Sequence, residues 1–178
     1  MTTTAAPAIA ARSLPLDKIL VGLAFVLGLA TIAGAWGSQL IGGLVPCELC
    51  WGERAPYYWG LPVIALVLIL WNRLPLTVWY IGIAIAAAIF VWSVYLGGYH
   101  TGVEYGFWPG PTACTGTGSA LDFNSLATGN VERVVPCDAV QWRDPILKLS
   151  LAGYNLLISA GIVVLLLASM IVQSRRPR

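Results

Sequence analysis

The chain has 178 residues, of which 58% are hydrophobic and only 10% are charged. Soluble domains carry about 25% charged residues, so this composition excludes an ordinary water-soluble fold and points to lipid surroundings. The formal net charge of +2 is small and dispersed, so we expect no nucleic-acid partner. The length allows one domain or a short bundle of membrane helices.

Four apolar stretches approach or reach the length needed to cross a bilayer, which is about 20 helical residues. They are residues 19–40, 56–71, 76–97 and 149–172. The first has no small-residue cleavage site after a short apolar core, which indicates a retained helix rather than a signal peptide. The sequence therefore predicts an all-α integral membrane protein, a single domain (1–178) built as a bundle of four transmembrane helices.

Basic residues near the ends of these stretches predict the orientation. They are Arg12, Lys18, Arg73, Arg175, Arg176 and Arg178. By the positive-inside rule, the segments that carry them are cytoplasmic, so both termini lie in the cytoplasm. Two loops then face outward, residues 41–55 and 98–148, and they hold seven of the eight acidic residues and all four cysteines. In the longer loop, residues 119–127 are predicted to form one or two helical turns.

The cysteines lie where disulfides persist, because an outer face such as the bacterial periplasm is oxidising. Four cysteines allow three pairings. Cys47 and Cys50 form a C-x-x-C motif, and a bridge over so short a loop removes little chain entropy. Thiol–disulfide exchange therefore explains this motif better than stabilisation does. Cys114 and Cys137 remain as the second pair, for which a purely structural bridge is the stronger alternative.

Other uses of a C-x-x-C motif fit the sequence less well. A c-type haem site needs histidine directly after the second cysteine, where this chain has Trp51. A structural zinc site usually takes its four ligands from two such motifs, and Cys114 and Cys137 do not form a second one. We therefore expect no metal.

Three charged or titratable residues are candidates for binding an electron acceptor. Glu53 and Arg54 follow the cysteine motif at the edge of the hydrocarbon, where a charge is costly. Arg54 can stabilise a thiolate or polarise an acceptor's carbonyl oxygen, or it can simply snorkel to headgroups or pair with Glu53. His100, the only histidine, can relay a proton or hydrogen-bond the acceptor, or it can be an ordinary satisfied polar group.

Several segments resemble the bacterial disulfide bond formation protein B (DsbB) family. The first, residues 46–54 (PCELCWGER), is similar to that family's C-x-x-C-x-x-E-R segment. The others are residues 99–104 (YHTGVE), 108–114 (WPGPTAC), 136–138 (PCD) and 141–142 (QW). The resemblance extends over most of the chain and implies a protein of the bacterial inner membrane with its redox cysteines on the periplasmic side.

The resemblance also implies a quinone-dependent protein-disulfide oxidoreductase. A reduced periplasmic thioredoxin-fold oxidase, of the DsbA type, would attack the Cys114–Cys137 disulfide at Cys114. Exchange within the protein would move the electrons to the Cys47–Cys50 pair, and Cys47 would pass them to a membrane quinone, either ubiquinone or menaquinone.

Further expectations concern the residues around the cysteine pair. Arg54, His100 and Glu53 would form the quinone site. Glu48, between the two cysteines, adds a negative charge that disfavours a thiolate.

Two other functions are compatible with a small helical membrane protein that has four cysteines. One is a quinone or vitamin K epoxide-type reductase fed by protein thiols. In such reductases, however, the C-x-x-C lies in a late helix, whereas here it follows the first apolar stretch. The other is a non-enzymatic membrane scaffold with two structural disulfides, which gives no reason for Glu53 and Arg54 beside the motif.

Overall fold

A computed structural model describes residues 15–111, 114 and 135–175. This part of the chain contains four α-helices and no β-strand. They are α1 (Leu16–Leu40), α2 (Glu48–Ile69), α3 (Leu76–Glu104) and α4 (Leu151–Ser174). The helical turns predicted at residues 119–127 lie outside the described residues, as do Arg12, Arg176 and Arg178.

The four helices form a bundle in which each helix packs mainly against two others. α1 and α3 each lie between α2 and α4. The core takes side chains from every helix, among them Val21, Ile64, Phe90, Ile162 and Leu166. Many large apolar side chains remain exposed on the outside of the bundle, as expected where lipid rather than water surrounds it.

Three of these helices, α1, α3 and α4, are long and apolar enough to cross a membrane. Three of the four predicted stretches therefore lie on helices that are apolar enough to cross a membrane, and the stretch on α2 does not meet this criterion. The reason lies in the first half of α2, where Glu48, Glu53 and Arg54 are interspersed with aromatic residues. Only its second half, residues 61–69, is strongly apolar.

Two helices have limits that differ from the predicted ones, and both differences affect the functional residues. α2 begins at Glu48 instead of residue 56, so Cys50, Glu53 and Arg54 lie on a helix and not in a loop. α3 continues to Glu104 instead of ending at residue 97, so His100 also lies on a helix. Charged and polar residues suggested loops in both places, but Glu53, Arg54 and His100 are buried here and have partners inside the bundle.

Buried hydrogen bonds join α2, α3 and α4 below the functional end of the bundle. The Tyr57 hydroxyl donates to Asn155 Oδ1 at 2.6 Å, and the Ser159 hydroxyl lies 2.9 Å from it. Ser159 also lies 2.8 Å from the Ser93 hydroxyl. Hydrogen bonds of this kind between membrane helices contribute about 0.6–2 kcal/mol each.

Candidate redox site

The Cys47–Cys50 disulfide lies at the N-terminus of α2. Cys47 caps this helix in an extended backbone conformation, and its Sγ accepts a hydrogen bond from the Cys50 amide at 3.2 Å. The two Cα atoms are 5.0 Å apart. A helix N-terminus stabilises negative charge, so this position favours a thiolate when the bond opens. Glu48, in the first turn, is exposed to solvent and so weakens that effect only partly.

The second disulfide joins Cys114 to Cys137, whose Cα atoms are 5.1 Å apart. Both of these cysteines are buried in the same apolar cluster as Cys47 and Val103. Cys50 packs against the edge of this cluster. The two cysteine pairs come from different loops or helix ends, and the fold brings them into one small volume.

His100 links the first cysteine pair to a carboxylate. Its Nε2 lies 3.7 Å from Cys47 Sγ, and its Nδ1 lies 2.8 Å from Glu53 Oε1. Both His100 and Glu53 are buried. The carboxylate fixes the ring orientation and holds the proton on Nδ1, which leaves Nε2 to face the sulfur.

Arg54 is buried beside this group and points toward α1. One guanidinium nitrogen donates to Gln39 Oε1 at 2.7 Å, and another donates to the Ala35 carbonyl at 3.1 Å. The guanidinium carbon lies 5.1 Å from the ring centre of Trp36 and 4.7 Å from that of Trp51. These contacts hold the charge in one place, so Arg54 is not a freely snorkelling interfacial arginine.

The two outer segments are joined by a pair of hydrogen bonds. The Gln141 side chain accepts from the Val45 amide at 3.2 Å and donates to the Val45 carbonyl at 2.5 Å. Val45 directly precedes the proline before Cys47, and Gln141 lies four residues after Cys137. These two hydrogen bonds therefore hold the backbone that precedes Cys47 beside the backbone that follows Cys137.

A cavity of about 420 Å³ opens beside the first disulfide. Its polar lining includes Cys47, Cys50, Glu53, Arg54 and His100. The rest of its wall is mainly apolar and comes from α1, α4 and the segment that follows Cys137. Pockets for small organic ligands have volumes of about 300–1,000 Å³ with mostly apolar walls and a few polar groups, and this cavity fits that description.

The structure brings together all seven residues that the sequence singled out. Cys47, Cys50, Glu53, Arg54 and His100 line the cavity, and Cys137 reaches its wall. Cys114 lies behind it in the buried cluster. Both cysteines of the first pair line the cavity, so the lining does not favour Cys47 over Cys50 as the residue that faces an acceptor.

Sequence patterns did not identify two residues that belong to this region. Gln39, which accepts from Arg54, could have been noticed as a polar side chain in an apolar stretch. Glu104 lines the cavity and accepts a hydrogen bond from the Ser150 hydroxyl at the start of α4. No local signal points to that contact, since the two residues are far apart in the chain.

A bundle of apolar helices with two disulfides in one buried cluster, one of them a C-x-x-C pair at a helix N-terminus, fits a membrane thiol–disulfide oxidoreductase. A family model described as disulfide bond formation protein DsbB matches residues 17–169, and the chain belongs to this family. No curated protein and no solved structure matches the chain. Membership makes the protein a membrane enzyme of disulfide bond formation.

Proposed function

We propose that the protein reoxidises a soluble periplasmic thiol oxidase of the DsbA type and passes the electrons to a membrane quinone. The observation that carries this proposal is the cavity, which places an apolar wall, a fixed cation and a cysteine pair side by side. A water-soluble acceptor needs no such wall. The family supports disulfide formation in general terms, and the cavity supports a lipid-soluble acceptor.

The orientation belongs to the same proposal. We infer that α2 crosses the inner membrane of a bacterium together with the three more apolar helices, with both termini in the cytoplasm. Its charged N-terminal half then needs no contact with lipid, because Glu53 and Arg54 are turned into the bundle. This arrangement puts all four cysteines on the periplasmic side, where a soluble partner can reach them.

The electron path starts at the second disulfide. The partner's thiolate attacks Cys114 or Cys137 and forms a mixed disulfide, and the released thiolate attacks the Cys47–Cys50 bond. The partner's second thiolate then attacks the mixed disulfide, and the partner leaves in its oxidised form. The cysteine released by this step re-forms the Cys114–Cys137 disulfide and frees the second thiolate of the Cys47–Cys50 pair. Each of these exchanges makes one sulfur–sulfur bond and breaks another, so together they move two electrons from the partner to Cys47 and Cys50. The shared cluster of the two pairs supports direct exchange between them, without a carrier.

The residues around the cavity fit a quinone, which accepts two electrons and two protons to become a quinol. Arg54 would hold a carbonyl oxygen that gains negative charge, because its guanidinium is buried and fixed. His100 would donate from Nε2 when protonated, and Glu53 would balance its charge through Nδ1. Cys47 and Cys50 would supply the electrons as their disulfide re-forms.

The proposal is tested with purified protein that contains quinone and is mixed with a reduced thioredoxin-fold oxidase. We expect quinol to form, and we expect Cys47→Ser and Cys50→Ser each to abolish it, because either change removes the disulfide. Quinone absorbance and the thiol content of the partner are the two measurements. Cys114→Ser should block transfer from the partner and yet allow quinone reduction by a small dithiol that reaches Cys47–Cys50.

Two outcomes would contradict the proposal. Continued quinol formation in Cys47→Ser would remove this pair from the electron path. Catalytic oxidation of the partner by the wild-type protein without any change in quinone absorbance would mean that the acceptor is not a quinone.

A further inference from the structure

His100, Cys47 and Cys50 form a three-membered cluster of side chains that bind soft and borderline metal ions. Their ligand atoms, the two Sγ atoms and one imidazole nitrogen, all lie within 4.8 Å of one another. Cys47 and His100 are buried, and Cys50 is partly buried. In the disulfide form the sulfurs are bonded to each other and are poor ligands, so the cluster concerns the reduced protein.

The distance between Cys47 and His100 matches tetrahedral zinc. With a Zn–S bond of about 2.3 Å and a Zn–N bond of about 2.0–2.1 Å, a tetrahedron places sulfur and nitrogen about 3.6 Å apart. The distance from Cys47 Sγ to His100 Nε2 is 3.7 Å. Two thiolates on zinc lie about 3.8 Å apart. Side-chain rotation after reduction can provide that separation, because the Cα atoms of Cys47 and Cys50 are 5.0 Å apart.

The surroundings of His100 also have the features of a metal site. Zinc-bound histidine usually gives its other ring proton to a carboxylate, which orients the ring and strengthens the ligand. Glu53 Oε1 occupies this position, 2.8 Å from Nδ1. Nε2 is thereby left as the metal-binding nitrogen, and it is the nitrogen that faces Cys47. A second carboxylate, Glu104, lines the same cavity and adds negative charge near the site.

We propose that the reduced protein binds one Zn²⁺ ion through Cys47, Cys50 and His100, with the fourth position open to the cavity. Reduction of the disulfide adds two electrons and two protons, and zinc binding then displaces the two thiol protons. The bound ion holds both thiolates, so they can no longer re-form the disulfide by giving electrons to an acceptor. Zinc is thus an inhibitor that acts on the reduced state alone.

Zinc binding goes beyond the proposed electron transfer and does not depend on it, because neither quinone nor a protein partner is needed for binding, whereas the inhibition rests on the proposed function. The test uses the full chain in detergent, reduced with a water-soluble phosphine that is then removed under anaerobic conditions. Co²⁺ is the probe, since cobalt thiolate bonds give a charge-transfer absorption that zinc lacks. We expect this absorption to appear in the reduced protein with one equivalent of Co²⁺ and to vanish when Zn²⁺ is added.

The controls separate this site from other thiols. The oxidised protein and a reduced Cys47→Ser/Cys50→Ser variant should give no charge-transfer band, whereas a reduced Cys114→Ser/Cys137→Ser variant should keep it. Glu53→Gln should weaken zinc binding about 10- to 100-fold, as loss of such a carboxylate does elsewhere. His100→Ala should weaken it further and change the cobalt spectrum. Circular dichroism of each variant shows whether the helices are intact.

The proposal is overturned by any of three results. The first is a reduced wild type that gives no more cobalt absorption than the Cys47→Ser/Cys50→Ser variant. The second is an oxidised protein that gives the same band as the reduced one. The third is a folded His100→Ala variant with unchanged zinc affinity and spectrum. Quinol formation in the absence of zinc is unaffected by these outcomes, so the two proposals fail separately.

Discussion

Arg54 illustrates how a single residue can be recognised in the sequence while its setting cannot. Its place after the cysteine motif suggests a function, but its partners come from α1. The Gln39 amide oxygen and the Ala35 carbonyl accept hydrogen bonds from its guanidinium, and the indole rings of Trp36 and Trp51 flank its charge. Removing a hydrogen bond to a charged group costs about 1.5–3 kcal/mol, and more is lost when buried groups remain unpaired.

We therefore expect Arg54→Lys to lower kcat/KM for the quinone by about 10- to 100-fold, a loss that matches those energies. Lysine keeps the charge but cannot reproduce the planar fork between Gln39 and the Ala35 carbonyl. The measurement is the initial rate of quinol formation at varied quinone concentration. Arg73→Lys is the control, because Arg73 is exposed in the turn between α2 and α3 and should leave the rate unchanged. Equal rates in both variants would show that the guanidinium geometry is irrelevant.

For His100 and Glu53 too, the sequence identifies the residues but does not predict the contact between them. The sequence identifies them as candidates because a lone histidine and an acid stand near membrane ends. Their contact joins residues 47 positions apart, on α2 and α3. No spacing rule within one helix predicts such a pair. It depends on how those two helices are rotated against each other, which packing of the whole core decides.

At the scale of helices, the close approach of α3 and α4 rests on Gly97. A Cβ atom at this position would lie 2.9 Å from the Leu156 backbone nitrogen, and backbone cannot move aside as a side chain can. Small residues at such contacts let membrane helices pack closely. The contact lies about one turn from His100 on the same helix.

We expect Gly97→Ala to destabilise the bundle by about 1–3 kcal/mol, which is typical of overpacking. Gly22→Ala on α1 is the matched control, because a Cβ there meets nothing within 4 Å. That variant should be neutral or slightly stabilising, since alanine favours a helix. Both are compared by unfolding in a series of detergent mixtures. Similar losses in the two variants would mean that the α3–α4 contact has no special role.

The helices themselves were predicted with uneven success, for a physical reason. The ends of the apolar helices α1 and α4 lie close to the predicted limits, because unbroken apolar runs define them. α2 begins before the apolar stretch that was predicted to span the membrane, and α3 continues beyond its stretch. In both cases polar residues continue a helix that points its charges into a protein cavity instead of into lipid or water.

At the scale of the whole molecule, the proposed topology makes a direct prediction about sidedness. An added cysteine at Ile41, which is 91% exposed, should lie on the periplasmic side, and one at Arg73 on the cytoplasmic side. The variants are Ile41→Cys and Arg73→Cys in the oxidised protein, whose four native cysteines are all paired. A membrane-impermeant maleimide is applied to cells whose outer membrane has been removed.

We expect labelling of Ile41→Cys alone while the inner membrane is intact, and of both variants after lysis. The unsubstituted protein serves as the blank. Because the two positions flank α2, this result would show that α2 crosses the membrane in spite of its charged first half. Labelling of both variants before lysis would mean that α2 does not cross.

The sequence by itself determined the membrane character, three of the four apolar helices, the family and the identity of the seven candidate residues. These properties follow from composition, from hydropathy along the chain and from local motifs, all of which are encoded by neighbouring residues. The tertiary structure alone decided that both disulfides share one buried cluster, that Glu53 orients His100, and that Gln39 fixes Arg54. Such contacts join residues far apart in the chain, and they form only when the helices pack in one particular rotation and register.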